Sequence, residues 1–98
     1  MENKQLPESV KCYKEMPIWG GEKIPKGLFS KHNTKSGVWG KLSILKGELL
    51  YTVCDTGEKT LLKEGQHMII IPQQYHFITI PENMNPKDVE IQINFYKE

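Results

Sequence analysis

The stretch of sequence that decides the fold is residues 65–76, which read GQHMIIIPQQYH. After a glycine turn signal comes a continuous aliphatic run at residues 68–71, which is typical of a strand buried on both faces. Pro72 ends this strand, because proline has no N–H to donate to the ladder of a central strand. His76 then opens a new alternating segment in which it shares one face with Ile78. The stretch therefore predicts two strands joined by a tight turn, with a histidine beginning the second.

Strand patterns continue on both sides of this stretch. Residues 38–45 alternate in hydrophobicity, and Gly40 interrupts one face, where a close backbone approach or a bulge is expected. Residues 48–54 and 59–63 predict a hairpin around an Asp-Thr-Gly-Glu loop. The last strand, residues 89–96, alternates an apolar face with a polar one: Val89, Ile91, Ile93 and Phe95 against Glu90, Gln92, Asn94 and Tyr96.

No segment shows a helical period over three turns. Several short strands at near-regular spacing predict an all-β fold, a small jelly roll (a double-stranded β-helix). At 98 residues the chain forms one domain. Residues 1–15 are expected to be an N-terminal tail because their hydrophobic periodicity is weak, and residues 16–98 are expected to form the domain.

Composition excludes several classes of function. Thirteen basic and twelve acidic residues leave a net charge of +1, which gives no electrostatic basis for binding nucleic acid or an anionic membrane. The longest aliphatic run is far shorter than the roughly 20 apolar residues of a membrane span, and no signal peptide is recognisable, so a cytoplasmic location is expected. Under these conditions Cys12 and Cys54 are expected to be free thiols.

The spacing from Gly65 through Pro72 to His76 resembles the second sequence motif of the cupin superfamily, with Gln74 at the position of its usual glycine. Residues 32–47, which read HNTKSGVWGKLSILKG, stand where the first cupin motif would be. That motif's usual His-x-His pair and its glutamate are missing, so His32 remains alone.

The resemblance becomes closer at the level of one group. Four pieces of this sequence resemble, in the same order, the cupin-like N-terminal domain family of tellurite-resistance TehB, which also includes stand-alone YeaR-like proteins. They are MPIW at residues 16–19, residues 32–47, Pro72 with His76, and INFY at residues 93–96. In full-length TehB a methyltransferase domain follows this module. These 98 residues contain no glycine-rich nucleotide-binding signature, so methyl transfer is not expected of them.

His32 and His76 are the leading candidate metal ligands, because neutral imidazole binds zinc, iron, nickel or copper. A catalytic metal usually has about three protein ligands, and the third is expected from Glu90 or Gln92 on the final strand. The alternative is that both histidines only hydrogen-bond polar groups inside the barrel. His67 is interpreted as a strand-entry residue rather than a ligand.

Lys35 and Trp39 are candidates for binding a small ligand. Lys35 or Lys41 could attract an oxyanion, with Trp39 as an apolar wall. The simpler interpretation is that the lysines are solvated and Trp39 belongs to the core. Trp19 is predicted to be a lid or core aromatic residue, and Cys54 to fill space beside its strand neighbours.

The resemblance implies a binding module for a metal ion, a small ligand or an oxyanion, acting in stress resistance. Two alternatives stay open at this stage. One is a metal-dependent cupin enzyme of the oxygenase or isomerase type, and the other is a purely structural homodimerisation module.

Overall fold

The computed structural model describes residues 5–98, and within this range the chain forms eight strands. They are β1 (Lys11–Glu15), β2 (Trp19–Gly20), β3 (Trp39–Lys46), β4 (Glu48–Val53), β5 (Lys59–Lys63), β6 (His67–Ile70), β7 (His76–Thr79) and β8 (Glu90–Lys97). Two short 3-10 segments, Lys26–Phe29 and Pro86–Asp88, are the helical elements of the described residues. None of the helices in residues 5–98 is long and apolar enough to cross a membrane.

The strands form two antiparallel sheets. One has the order β1-β8-β3-β6, with β2 also pairing to β8, and the other has the order β5-β4-β7. From β3 onward the chain passes repeatedly from one sheet to the other, so that both sheets contribute side chains to a single core. The prediction of an all-β fold is confirmed.

The core is built by the alternation that the sequence shows in β3 and β8. In the antiparallel register of these two strands Leu42 lies opposite Ile93 and Ile44 lies opposite Ile91. All four side chains are buried. Directly opposite residues on one face of an antiparallel pair contact each other, so this ladder forms the floor on which the second sheet packs.

Gly40 occupies a tight position in the first sheet. A Cβ atom at residue 40 would lie 2.9 Å from Cδ1 of Ile70 on the neighbouring strand β6. The sequence pattern predicts a close backbone approach or a bulge at this glycine; the atoms that come close belong instead to the Ile70 side chain, which fills the space that a Cβ would need.

Strand β6 has the length of the aliphatic run that predicts it but lies one residue earlier, at residues 67–70 instead of 68–71. It ends at Ile70, before Pro72. Ile69 and Ile70 are adjacent and both are buried, which means that both faces of the strand are covered at this point.

The expectation of a tail over residues 1–15 is wrong for its last third. Residues 11–15 form strand β1, which pairs with β8 and places Cys12 opposite Tyr96. All five side chains of β1 are exposed. Backbone hydrogen bonds hold this edge strand without an apolar face, so hydrophobic periodicity could not reveal it. Residues 1–4 of the predicted tail lie outside the described part of the chain.

Candidate functional site

His32 and His76 are paired through their backbones. The amide of His32 donates to the carbonyl of His76 at 3.0 Å, and the amide of His76 donates to the carbonyl of His32 at 2.9 Å. This isolated antiparallel bridge joins the loop before β3 to the first residue of β7. As a result the two rings meet edge to face, with their centroids 4.3 Å apart and their planes inclined by 68°.

Both imidazole rings are held by the same local contact. Nδ1 of His32 lies 2.8 Å from the carbonyl oxygen of Ser30, and Nδ1 of His76 lies 2.8 Å from the carbonyl oxygen of Gln74. A carbonyl oxygen can only accept, so in each neutral ring Nδ1 carries the proton and Nε2 carries the lone pair. Histidine ligands of metal ions are commonly oriented by such a hydrogen bond from the other ring nitrogen.

Tyr51 completes this cluster. Its ring stacks on that of His76, with the centroids 5.0 Å apart and an interplanar angle of 19°. The side chain is only 1% exposed, and its hydroxyl oxygen is buried without a hydrogen-bond partner among residues 5–98. Burial raises the pKa of Tyr51 well above its usual value, and the nearby Cys54 acts in the same direction. Tyr51 therefore stays protonated at neutral pH and can donate a hydrogen bond.

Sequence reasoning missed this role of Tyr51. Tyr51 stands on the inward face of β4 with Leu49, as the alternation predicts, and that pattern marks it as a core residue. The sequence feature that could have indicated this role is the hydroxyl of Tyr51 on an otherwise apolar inward face. Its closeness to His76 follows from the register of β4 with β7, which pairs Tyr51 with Ile78 and Val53 with His76.

A small cavity of about 10 Å³ lies between the sheets at the histidine pair. Its polar lining is His32, His76 and Tyr51, and its apolar lining is Leu28, Leu42, Ile70, Ile78 and Ile93. About 10–15 Å³ is the smallest volume that holds one water molecule. The cavity is therefore on the scale of a single small atom or molecule.

The surroundings favour the neutral form of His76. Burial lowers the pKa of His76, and the neighbouring His32 lowers it further, while the hydrogen bond to the Gln74 carbonyl acts in the opposite direction. At neutral pH the Nε2 atom of His76 therefore offers a lone pair rather than a proton.

The two candidates for a third ligand lie elsewhere. Gln92 donates through Nε2 to the carbonyl of Met16 at 3.0 Å, and Glu90 is exposed at the start of β8. Because side chains alternate along a strand, the inward position of Ile91 and Ile93 turns residues 90 and 92 to the opposite face. The structure does not bring either residue to the histidines. Residues 5–98 contain no group of three or more His, Cys, Asp or Glu side chains that could hold a metal ion.

Lys35 and Trp39 are also separate from the cavity. Lys35 is exposed in the loop before β3. Trp39 is half-buried on the face of β3 opposite to the buried Gly40 and Leu42, and it pairs with Tyr96. Side chains alternate along a strand, so the inward position of Leu42 places Trp39 on the outer face of β3. Trp39 therefore neither lines the cavity nor belongs to the core between the sheets.

The remaining residues of interest have ordinary structural positions. His67 is exposed at the first position of β6, opposite Ser43, as expected of a strand-entry residue. Trp19 packs against the core. Cys12 is exposed, Cys54 is half-buried, and both are free thiols as predicted.

The described residues also form an open groove of about 960 Å³. It runs along β5 and β6, and its lining includes Leu61, Leu62, His67, Met68 and Ile69. Tyr51 lines both this groove and the small cavity.

These features define a class of protein, a small two-sheet β domain with a pair of histidines between its sheets. Residues 14–93 match the model of the TehB-like domain, and the chain belongs to this family. The family resemblance of the sequence motifs is thereby confirmed.

Two relatives show how the domain occurs in other proteins. The probable S-adenosyl-L-methionine-dependent methyltransferase TehB of Haemophilus influenzae is 36% identical over 90 residues, which is 87% of this chain but 30% of that protein. The uncharacterized protein YeaR of Escherichia coli K12 is 25% identical over 83 residues, which is 76% of this chain and 70% of that protein. The chain thus spans less than a third of the TehB relative.

Solved structures agree with the fold. The crystal structure of TehB from Haemophilus influenzae matches with a TM-score of 0.79 at 31% identity, covering 93% of this chain and 32% of that one. A crystal structure of an Escherichia coli K12 protein matches with a TM-score of 0.84 at 24% identity, covering 96% of both chains, and shows the fold alone.

Proposed function

We propose that this chain is a binding domain that takes up one transition-metal ion between His32 and His76. The observation that carries the proposal is the pair of Nδ1 contacts to backbone carbonyls at 2.8 Å. These contacts leave both Nε2 atoms as lone-pair donors, and both histidines line one small cavity. Neutral imidazoles oriented in this way suit zinc, iron, nickel or copper.

The same geometry favours a cation over a bare oxyanion such as tellurite. An anion needs hydrogen-bond donors or positive charge, and the buried His76 resists protonation because its pKa is lowered. Lys35, the cation expected to attract an anion, is exposed and does not line the cavity. An oxyanion or other small ligand would therefore bind through the metal.

Binding is proposed rather than catalysis because the His-x-His pair and the glutamate that usually complete the ligand set of a cupin enzyme are missing from residues 32–47, and the lining of the cavity contains no carboxylate in their place. Two protein ligands leave open positions on the metal, where it can polarise a bound ligand. The TehB relatives are named as probable methyltransferases, but this chain covers 30% of their length. We therefore assign ligand binding in stress resistance to this chain and do not assign methyl transfer to it.

Metal analysis of untagged protein purified without chelator or nickel resin tests the proposal. We expect close to one equivalent of a transition metal, or its uptake when apo protein is titrated with Zn²⁺, Ni²⁺, Fe²⁺ and Cu²⁺ in turn. His32→Ala and His76→Ala should each lower the affinity at least tenfold. His67→Ala is the matched control, because His67 is exposed and lies outside the cavity.

Two results would overturn the proposal. One is wild-type protein that holds less than a tenth of an equivalent and takes up none of the four metals. The other is uptake that His67→Ala abolishes and His32→Ala leaves intact.

A further inference from the structure

Three buried side-chain atoms lack a hydrogen-bond partner among residues 5–98, namely Tyr51 Oη, Thr52 Oγ1 and Asn94 Oδ1, although a buried polar group normally has one. Of these three residues, Tyr51 is the one that lines the cavity at the histidine pair. Phenylalanine would fill the same space against His76 without this cost. A tyrosine at this position therefore indicates that its hydroxyl has a partner that is not part of the protein.

The donors and acceptors around the cavity define that partner. Nε2 of His32 and Nε2 of His76 are acceptors, because both Nδ1 atoms hold their protons against backbone carbonyls. Tyr51 supplies a donor, because a phenol is protonated at neutral pH. One oxygen atom with two hydrogens satisfies all three groups, and the volume of about 10 Å³ matches one such molecule.

We propose that Tyr51 is the third polar group of the site and donates a hydrogen bond to a single oxygen atom held against the two histidines. In metal-free protein this oxygen belongs to a water molecule that donates to both Nε2 atoms. When a small oxygen-containing ligand is bound, Tyr51 makes the same contact with the ligand's oxygen. This inference rests on the proposed function in one respect, which is that His32 and His76 are the groups that bind the ligand.

The position of Tyr51 also suits a contact with an exchangeable molecule. Tyr51 lines both the cavity and the open groove along β5 and β6. A molecule in the cavity is thus next to a residue that also borders the open groove. The ligand class is therefore small and oxygen-containing: water, or a ligand with one oxygen of comparable size.

The test compares Tyr51→Phe with wild type in metal-free, chelator-treated protein by thermal unfolding. If the hydroxyl donates to a bound water, its removal breaks that hydrogen bond and lowers the Tm by about 4 °C. Tyr75→Phe is the matched control, because Tyr75 is 41% exposed and keeps its ring against Lys31. Its Tm should stay within about one degree of wild type.

An equal or higher Tm for Tyr51→Phe would overturn the inference, because removing an unpartnered buried hydroxyl is neutral or stabilising. A high-resolution crystal structure of the metal-free protein gives a second reading. An oxygen atom within hydrogen-bond distance of Tyr51 Oη and both Nε2 atoms supports the inference, and a cavity without it contradicts the inference.

Neither measurement uses metal, so the two proposals can fail separately. Wild type that binds no metal but loses stability on Tyr51→Phe refutes the metal proposal alone. Wild type that binds metal, with a Tyr51→Phe variant of unchanged or higher Tm, refutes the role of Tyr51 alone.

Discussion

Two parts of the protein interior differ in how completely their side chains are satisfied by packing contacts and hydrogen bonds. In the ladder of β3 and β8, buried aliphatic side chains such as Leu42, Ile44 and Ile91 meet other aliphatic side chains. At the histidine pair, three polar rings lie beside a cavity lined otherwise by aliphatic groups, and the Tyr51 hydroxyl has no partner among residues 5–98. The ladder supplies stability, whereas the histidine pair accepts a desolvation cost that packing alone does not explain.

The largest effect is expected where the core is fully packed. Leu49→Ala should destabilise the domain by about 2–5 kcal/mol, because Leu49 is 0% exposed and its loss leaves a cavity. Leu61→Ala is the matched control, since Leu61 is 43% exposed, and it should cost about 1 kcal/mol or less. Urea unfolding measures both. Equal losses would show that the interior and the edge strand β5 do not differ in packing.

A smaller loss is expected from adding an atom to the packed sheet. Gly40→Ala places a Cβ 2.9 Å from Ile70 Cδ1, and the forced shift should cost about 1–3 kcal/mol. Gly27→Ala is the control, because a Cβ there meets nothing within 4 Å. Ile70 also lines the cavity, so Gly40→Ala should weaken metal binding as well. Unchanged stability of Gly40→Ala in urea would mean that Ile70 moves aside freely.

The third effect is a pH dependence of the free energy of unfolding, which is expected from the histidine pair and not from the aliphatic ladder. Burial lowers the pKa of His76 in the folded protein, while in the unfolded chain the pKa returns to about 6.5. The unfolded state then binds a proton more readily, so stability should fall as pH decreases below about 6.5, until His76 is protonated in the folded state as well. Above that pH this residue adds no pH dependence.

One proton limits the contribution of His76 to about 1.4 kcal/mol per pH unit. Urea unfolding of metal-free protein between pH 7.5 and 5 measures the slope. His76→Gln should reduce it, whereas His67→Gln, at an exposed position, should leave it as in wild type. A slope that survives His76→Gln unchanged would assign the pH dependence to other groups.

The smallest effect concerns the turn that leads into His76. Gln73 has φ of 63° directly after Pro72, a backbone region that costs a residue with a side chain about 1 kcal/mol or more. Gln73→Gly should therefore stabilise the domain by up to about 1 kcal/mol, after the entropy cost of glycine is included. Gln74→Gly, outside that region, should destabilise it slightly. If thermal unfolding shows that both variants destabilise equally, the strain at Gln73 is absent.

Much of the sandwich could be predicted because its signals are local. Alternation placed Ile91 and Ile93 inward, and the Asp55–Glu58 loop predicted the β4–β5 hairpin. The same alternation already turned Glu90 and Gln92 away from that face, so their assignment as ligands conflicted with a readable pattern. Strand β1 could not be found in this way, since its five exposed side chains carry no period and its partner β8 is about 80 residues away.

Local sequence was sufficient for β3 to β8 and their turns, because side-chain periodicity and turn chemistry act over a few neighbouring residues. The choice of His32 and His76 as candidates also used the resemblance to the cupin motifs. The site itself required the tertiary structure. Backbone pairing of residues 44 positions apart, and the register between β4 and β7, bring Tyr51 and both imidazoles together. No local pattern encodes such a contact, because it depends on how two sheets close around one core.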